Sequence, residues 1–81
     1  MSHPQYKVTA AYQPKKPTQR LGTNVRALRR RQGLTKALLC LMAGISRPLL
    51  DDIEKGKANP TLATLEKIAG ALGVTVSDLL G

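Results

Sequence analysis

A chain of 81 residues has room for one small domain. With no Phe or Trp and only two Tyr, its core has to come from Leu, Ile, Val, Ala and Met, a mixture that favours helices over a sandwich or barrel. One cysteine, Cys40, excludes an intramolecular disulfide, and with a single histidine, His3, it cannot assemble a zinc site.

The formal net charge of +8 is unevenly spread. Residues 1–36 hold nine Lys and Arg and no acid, whereas residues 37–81 hold four bases against five acids. A basic half of this kind attracts polyanions, nucleic acid above all, through sequence-independent phosphate contacts. The plainer reading is a solvated basic tail that keeps the chain soluble. No apolar run approaches the roughly eighteen residues that would span a bilayer, and the opening residues contain no signal-peptide core. A cytoplasmic protein with no membrane association is expected.

Residues 1–20 read as a basic N-terminal arm. Pro4, Pro14 and Pro17 interrupt it, and no helical period runs through it. Within it Tyr6, Val8, Ala10 and Tyr12 alternate with polar or small residues, the pattern of a short strand over 6–12. A lone strand cannot stand by itself, so this segment is either disordered, paired with a second copy, or laid along a partner. QPKKPTQ, from Gln13 to Gln19, reads as an extended basic linker.

The domain proper is expected over 21–81. Leu21, Val25 and Leu28 recur at helical spacing, which predicts a first helix from Leu21 to Gln32, stopped by Gly33. Thr35 and Ser46 stand where N-cap hydroxyls are wanted, opening a second helix over Lys36–Ala43 and a third over Arg47–Lys55. Gly44 supplies the tight turn between them, and Pro48 falls in the first turn of the third helix, where its missing N–H costs nothing. Two short helices joined by a glycine turn make a helix-turn-helix, whose second helix commonly enters the DNA major groove. After the loop GKANP, Leu62, Leu65, Ile68, Ala69 and Leu72 share one face of a fourth helix, Leu62–Leu72, closed by Gly73. Ser77 is the expected cap of a final turn, SDLL, whose Leu79 and Leu80 pack back on the core. The fold class is therefore all-α, five short helices behind an extended or short-strand N-terminal arm.

The segments VRALRRRQGLT, the AG turn, IEKGKANPTLATLEKIAGALGV and VSDLL, spanning Leu21 to Leu80, resemble the lambda-repressor-like (Cro/cI-type, XRE-like) helix-turn-helix family. That resemblance implies a sequence-specific DNA-binding transcriptional regulator, acting as a homodimer on double-stranded DNA. It implies that Arg29 in the first helix pairs with Glu54 at the end of the recognition helix, a bidentate contact suited to a partly buried carboxylate. It also carries DNA contacts onto this chain. Thr35 and Lys36 stand at the start of the second helix, where helix N-terminus and side chain meet phosphate. Ser46 caps the recognition helix or donates to phosphate. Arg47, in its first turn, suits guanine O6 and N7, and Asp52 falls where the family often reads a base and can accept from cytosine N4. Lys55, Lys57 and Asn59 follow the helix at positions of backbone contact.

Two departures from the family pattern point to a second surface. Pro48, Leu49, Asp51 and Asp52 replace residues that are usually polar and uncharged or basic, and adjacent acids near phosphate are unfavourable. The second helix is also apolar nearly all round, with Leu38, Leu41 and Met42 where the family keeps polar residues. With Leu49 these form a candidate protein interface for a second copy or another partner, unless the segment carrying Tyr6, Val8 and Tyr12 folds over them. The alternative function is thus a helix-turn-helix scaffold used mainly for protein contact, antitoxin-like or accessory. No phosphate loop, nucleophile elbow or facing acid pair is present. No enzymatic activity, cofactor or metal is expected.

Overall fold

The computed structural model describes residues 16–81, which form five helices: α1 (Pro17–Arg31), α2 (Lys36–Ala43), α3 (Arg47–Glu54), α4 (Leu62–Leu72) and α5 (Val76–Leu80). No strand occurs among the described residues; the expected strand over 6–12 lies outside them. Each helix starts and stops for a local reason. Thr35 Oγ1 accepts from Leu38 N at 3.1 Å and Ser46 Oγ from Leu49 N at 3.2 Å, so each hydroxyl satisfies a backbone donor that has no partner within its helix. Gly44 ends α2 with φ at 70°, a left-handed conformation that costs glycine nothing, and Gly44 N and Ile45 N both return to the Cys40 carbonyl.

Four boundaries differ from the sequence expectation, one of them the end of α1, which falls at Arg31 with Gln32 as its C-cap. Helix α1 begins at Pro17 rather than Leu21, so 17–20 belong to the helix and not to the arm. Proline at the first helical position gives up a donor that would have been orphaned anyway, and Gln19 Oε1 accepts from Lys16 N at 3.2 Å. Helix α3 ends at Glu54, with Lys55 as its C-cap. The last helix is capped by Thr75 rather than Ser77. Thr75 Oγ1 accepts from Asp78 N while Asp78 Oδ2 accepts from Thr75 N at 2.9 Å, and this reciprocal capping box is unavailable to Ser77.

The core draws on every helix. Val25, Leu39, Leu50, Ile53, Ile68 and Leu79 are its largest fully enclosed side chains. Helix α1 lies against α3 and α5, α2 against α3 and α4, and α4 against α5. Asn24 in α1 and Gln32 at its C-cap tie the ends of other helices to it. Gln32 Nε2 donates to the Leu72 carbonyl at 2.7 Å and Asn24 Nδ2 to the Leu79 carbonyl at 2.8 Å, satisfying acceptors that helix ends leave open. Two leucines expected inside are outside: Leu62 is 63% exposed and Leu80 46%. Both sit at a helix end, where no neighbouring turn covers them.

Candidate nucleic-acid interface

Helix α3 is fixed from within. Leu50, Ile53 and Glu54 are buried, while Arg47, Pro48 and Asp52 are exposed. Its C-terminal end meets the backbone of α1 so closely that a Cβ on Gly22 would run into the Ile53 and Glu54 carbonyl oxygens. Glycine inside a helix costs about 1 kcal/mol relative to alanine; here it permits two backbones to touch.

The strongest polar contact holding α3 is ionic. Arg29 Nε donates to Glu54 Oε2 at 2.7 Å, Nη2 to Oε1 at 3.0 Å, and Nη1 to the Leu34 carbonyl at 2.9 Å. Both side chains are buried, 8% and 3% exposed. Bonding to Glu54 raises the pKa of the guanidinium still further, against the opposing effect of burial. A single arginine thus fixes the end of α3 and the turn leading into α2. Arg26 adds a longer contact, Nη2 to the Glu54 carbonyl at 3.5 Å, and with Gln19, Thr23 and Lys55 it lines a polar hollow beside the end of α3.

The residues expected at DNA fall into two groups. Thr35, Ser46, Arg47, Asp52, Lys55, Lys57 and Asn59 are all exposed, at the starts of α2 and α3 or in and after the recognition helix. Lys36 differs: its Nζ bonds Asp51 Oδ1 at 3.0 Å, with both side chains 33% exposed. Arg47 Nε lies 3.8 Å from the same oxygen. The hydrogen bond from Lys36, with the nearby Lys36, Arg47 and Lys55 charges, holds the Asp51 carboxyl below its ordinary 3.8. Sequence reasoning set Asp51 down as an acid unfavourable near phosphate and missed that two bases compensate it. Lys36 lies 15 residues away on another helix, so no local pattern signals the pair.

Helix α2 turns Leu39, Cys40 and Ala43 inward and leaves Leu38, Leu41 and Met42 at 43, 79 and 49% exposure. Leu49 is half-buried and packs against the core. Burial raises the Cys40 thiol above its ordinary 9.0, so it is a packed hydrophobe rather than a nucleophile. The segment bearing Tyr6, Val8 and Tyr12, the alternative cover for this face, lies outside the described residues.

A sequence model of the helix-turn-helix family matches residues 25–79, from the middle of α1 into α5. The chain belongs to the helix-turn-helix family. Among helix-turn-helix proteins it is 44% identical over 61 residues to the immunity repressor protein of Bacillus phage phi105, matching 75% of this chain and 42% of that one. It is 43% identical over 61 residues to the transcriptional regulator DdrOP3 of Deinococcus deserti, matching 75% of this chain and 47% of that regulator. The chain therefore spans less than half the length of either relative. Among solved structures, the restriction-modification controller protein C.AhdI from Aeromonas hydrophila superposes with a TM-score of 0.74 at 29% identity, over 76% of this chain and 94% of the controller. A hypothetical transcription factor from Neisseria superposes with a TM-score of 0.79 at 30% identity, over 84% and 80%. No helix among the described residues is long and apolar enough to cross a membrane.

Proposed function

We propose that the protein is a sequence-specific DNA-binding transcriptional regulator that inserts α3 into the major groove of double-stranded DNA. The observation that carries this reading is the division of α3, whose structural side chains all face inward while Arg47 and Asp52 face out beside Lys55, Lys57 and Asn59. Arg47 reads a base, and its two terminal nitrogens suit the O6 and N7 of guanine. Thr35 and Ser46 keep their hydroxyl protons for phosphate while their oxygens cap α2 and α3. Lys55, Lys57 and Asn59 hold the backbone, and the basic residues Lys15, Lys16 and Arg20 add sequence-independent affinity. Relatives described as an immunity repressor and a transcriptional regulator support the same reading.

The protein acts as a homodimer, and its two recognition helices read half-sites about 34 Å apart. The exposed Leu38, Leu41 and Met42 favour a protein contact on α2 beside this activity, most simply with a second copy. Fluorescence anisotropy on a pool of labelled duplexes, repeated at several salt concentrations, tests the main reading. Binding that weakens steeply with salt and prefers some sequences is expected; no binding to any duplex at low salt refutes it.

A further inference from the structure

Asp51, like Glu54, joins the recognition helix to another helix through its side chain, but it does so on the solvent side. Its carboxylate takes Lys36 Nζ from the first turn of α2 at 3.0 Å and lies 3.8 Å from Arg47 Nε one turn back along α3. We infer that Asp51 is a positioning residue of the DNA face, which binds Lys36 into a neutral unit and withholds its charge from phosphate. The inference rests on the DNA-binding function proposed above.

The physical case turns on what Lys36 would leave behind. An exposed surface pair is weak, and a phosphate competes well for a lysine. If Lys36 moved to a phosphate, however, the Asp51 carboxylate would face that same phosphate with its main compensating charge gone. The exchange swaps one ion pair for another and adds a like-charge repulsion. Lys36 therefore stays on Asp51, and the pair enters the interface without releasing a counterion. Arg47 remains a separate case. Its nearest approach to Asp51 is through Nε, at the edge of ion-pair range, and its terminal nitrogens make no hydrogen bond among the described residues, so they stay available to a base. Asp51 thus lowers affinity for arbitrary DNA and leaves the arginine that reads sequence free, which raises the ratio of specific to non-specific binding.

The test is the salt dependence of binding to a 20-base-pair duplex of arbitrary sequence, for the full chain, Asp51→Asn, and Asp51→Asn with Lys36→Met. Each is checked for unchanged helical circular dichroism. Freed from its partner, Lys36 should steepen the Asp51→Asn salt slope by about 0.9, an extra loss of about 3.5-fold in affinity between 50 and 200 mM salt. The double variant should return to the wild-type slope, since a neutral pair and two neutral side chains release the same number of counterions. If Lys36 already holds a phosphate in the wild type, Asp51→Asn leaves the slope unchanged and the double variant falls below it, which overturns the inference. Three identical slopes overturn it as well, by placing Lys36 outside the interface. Wild-type protein that binds no duplex refutes the DNA-binding function itself, and the inference with it.

Discussion

Replacing Arg29 by methionine keeps most of the side-chain volume and removes the charge that Glu54 was buried against. Two charge-assisted hydrogen bonds are lost, at 2.7 and 3.0 Å, together with the 2.9 Å bond to the Leu34 carbonyl. Glu54, 4% exposed in the wild type, is left as a buried carboxylate without its partner. Breaking a buried pair from one side in this way costs about 3–5 kcal/mol. At about 0.05–0.15 kcal/mol per residue, a chain of this size has about 4–12 kcal/mol of stability. Arg29→Met should therefore lower the urea midpoint drastically or leave the domain unfolded at 25 °C, read by circular dichroism at 222 nm. Adding Glu54→Leu should restore much of the loss, because the stranded charge is then gone. A single variant that loses less than about 1 kcal/mol refutes the argument, since exposed pairs contribute that little. So does a double variant less stable than the single.

Two further outcomes are expected. The Asp78 carboxyl is held below its ordinary 3.8 by hydrogen bonds from the Thr75 backbone and hydroxyl. A lowered folded value contributes stability above the unfolded pKa and loses it as pH falls through the folded one. The excess thermal stability of wild type over Asp78→Ala should therefore be constant from neutral pH down to about 4 and shrink below it; a gap that persists unchanged to the lowest pH at which both fold refutes the capping role. For the α2 surface, light scattering should find wild type self-associated and Leu38→Glu with Leu41→Lys monomeric, both with native helical content. A wild type that stays monomeric at high concentration removes the homotypic purpose of that face.

Helix α2 was legible to the residue because Thr35 and Gly44 bracket it, and α4 because its apolar stripe runs unbroken up to Gly73. The start of α1 was not, since Pro14, Lys15, Lys16 and Pro17 look like a linker and the proline that begins a helix looks locally like one that prevents it. Between Thr75 and Ser77 the sequence offers two hydroxyls, and Asp78 at the third position after Thr75 decides between them. Leu62 continues the apolar stripe of α4 without being buried, because periodicity says which face a residue is on and not whether anything covers its end of the helix. The Arg29–Glu54 contact could be expected only through resemblance. The Lys36–Asp51 contact could not be expected at all, because charge pairing between helices depends on how they pack.

The division of α3 into an inner and an outer side also bears on how the protein can change. Leu50, Ile53 and Glu54 hold the helix, and Gly22 lets α1 grip its end; none of these residues lies on its solvent side. Arg47, Pro48 and Asp52 can therefore be rewritten together, as one replaceable lettering on a fixed spindle, with little effect on folding. Asp51 is the exception. Because its carboxylate is shared with α2, new lettering at 51 also unpairs Lys36 and changes a contact between two helices, so that position cannot be rewritten alone.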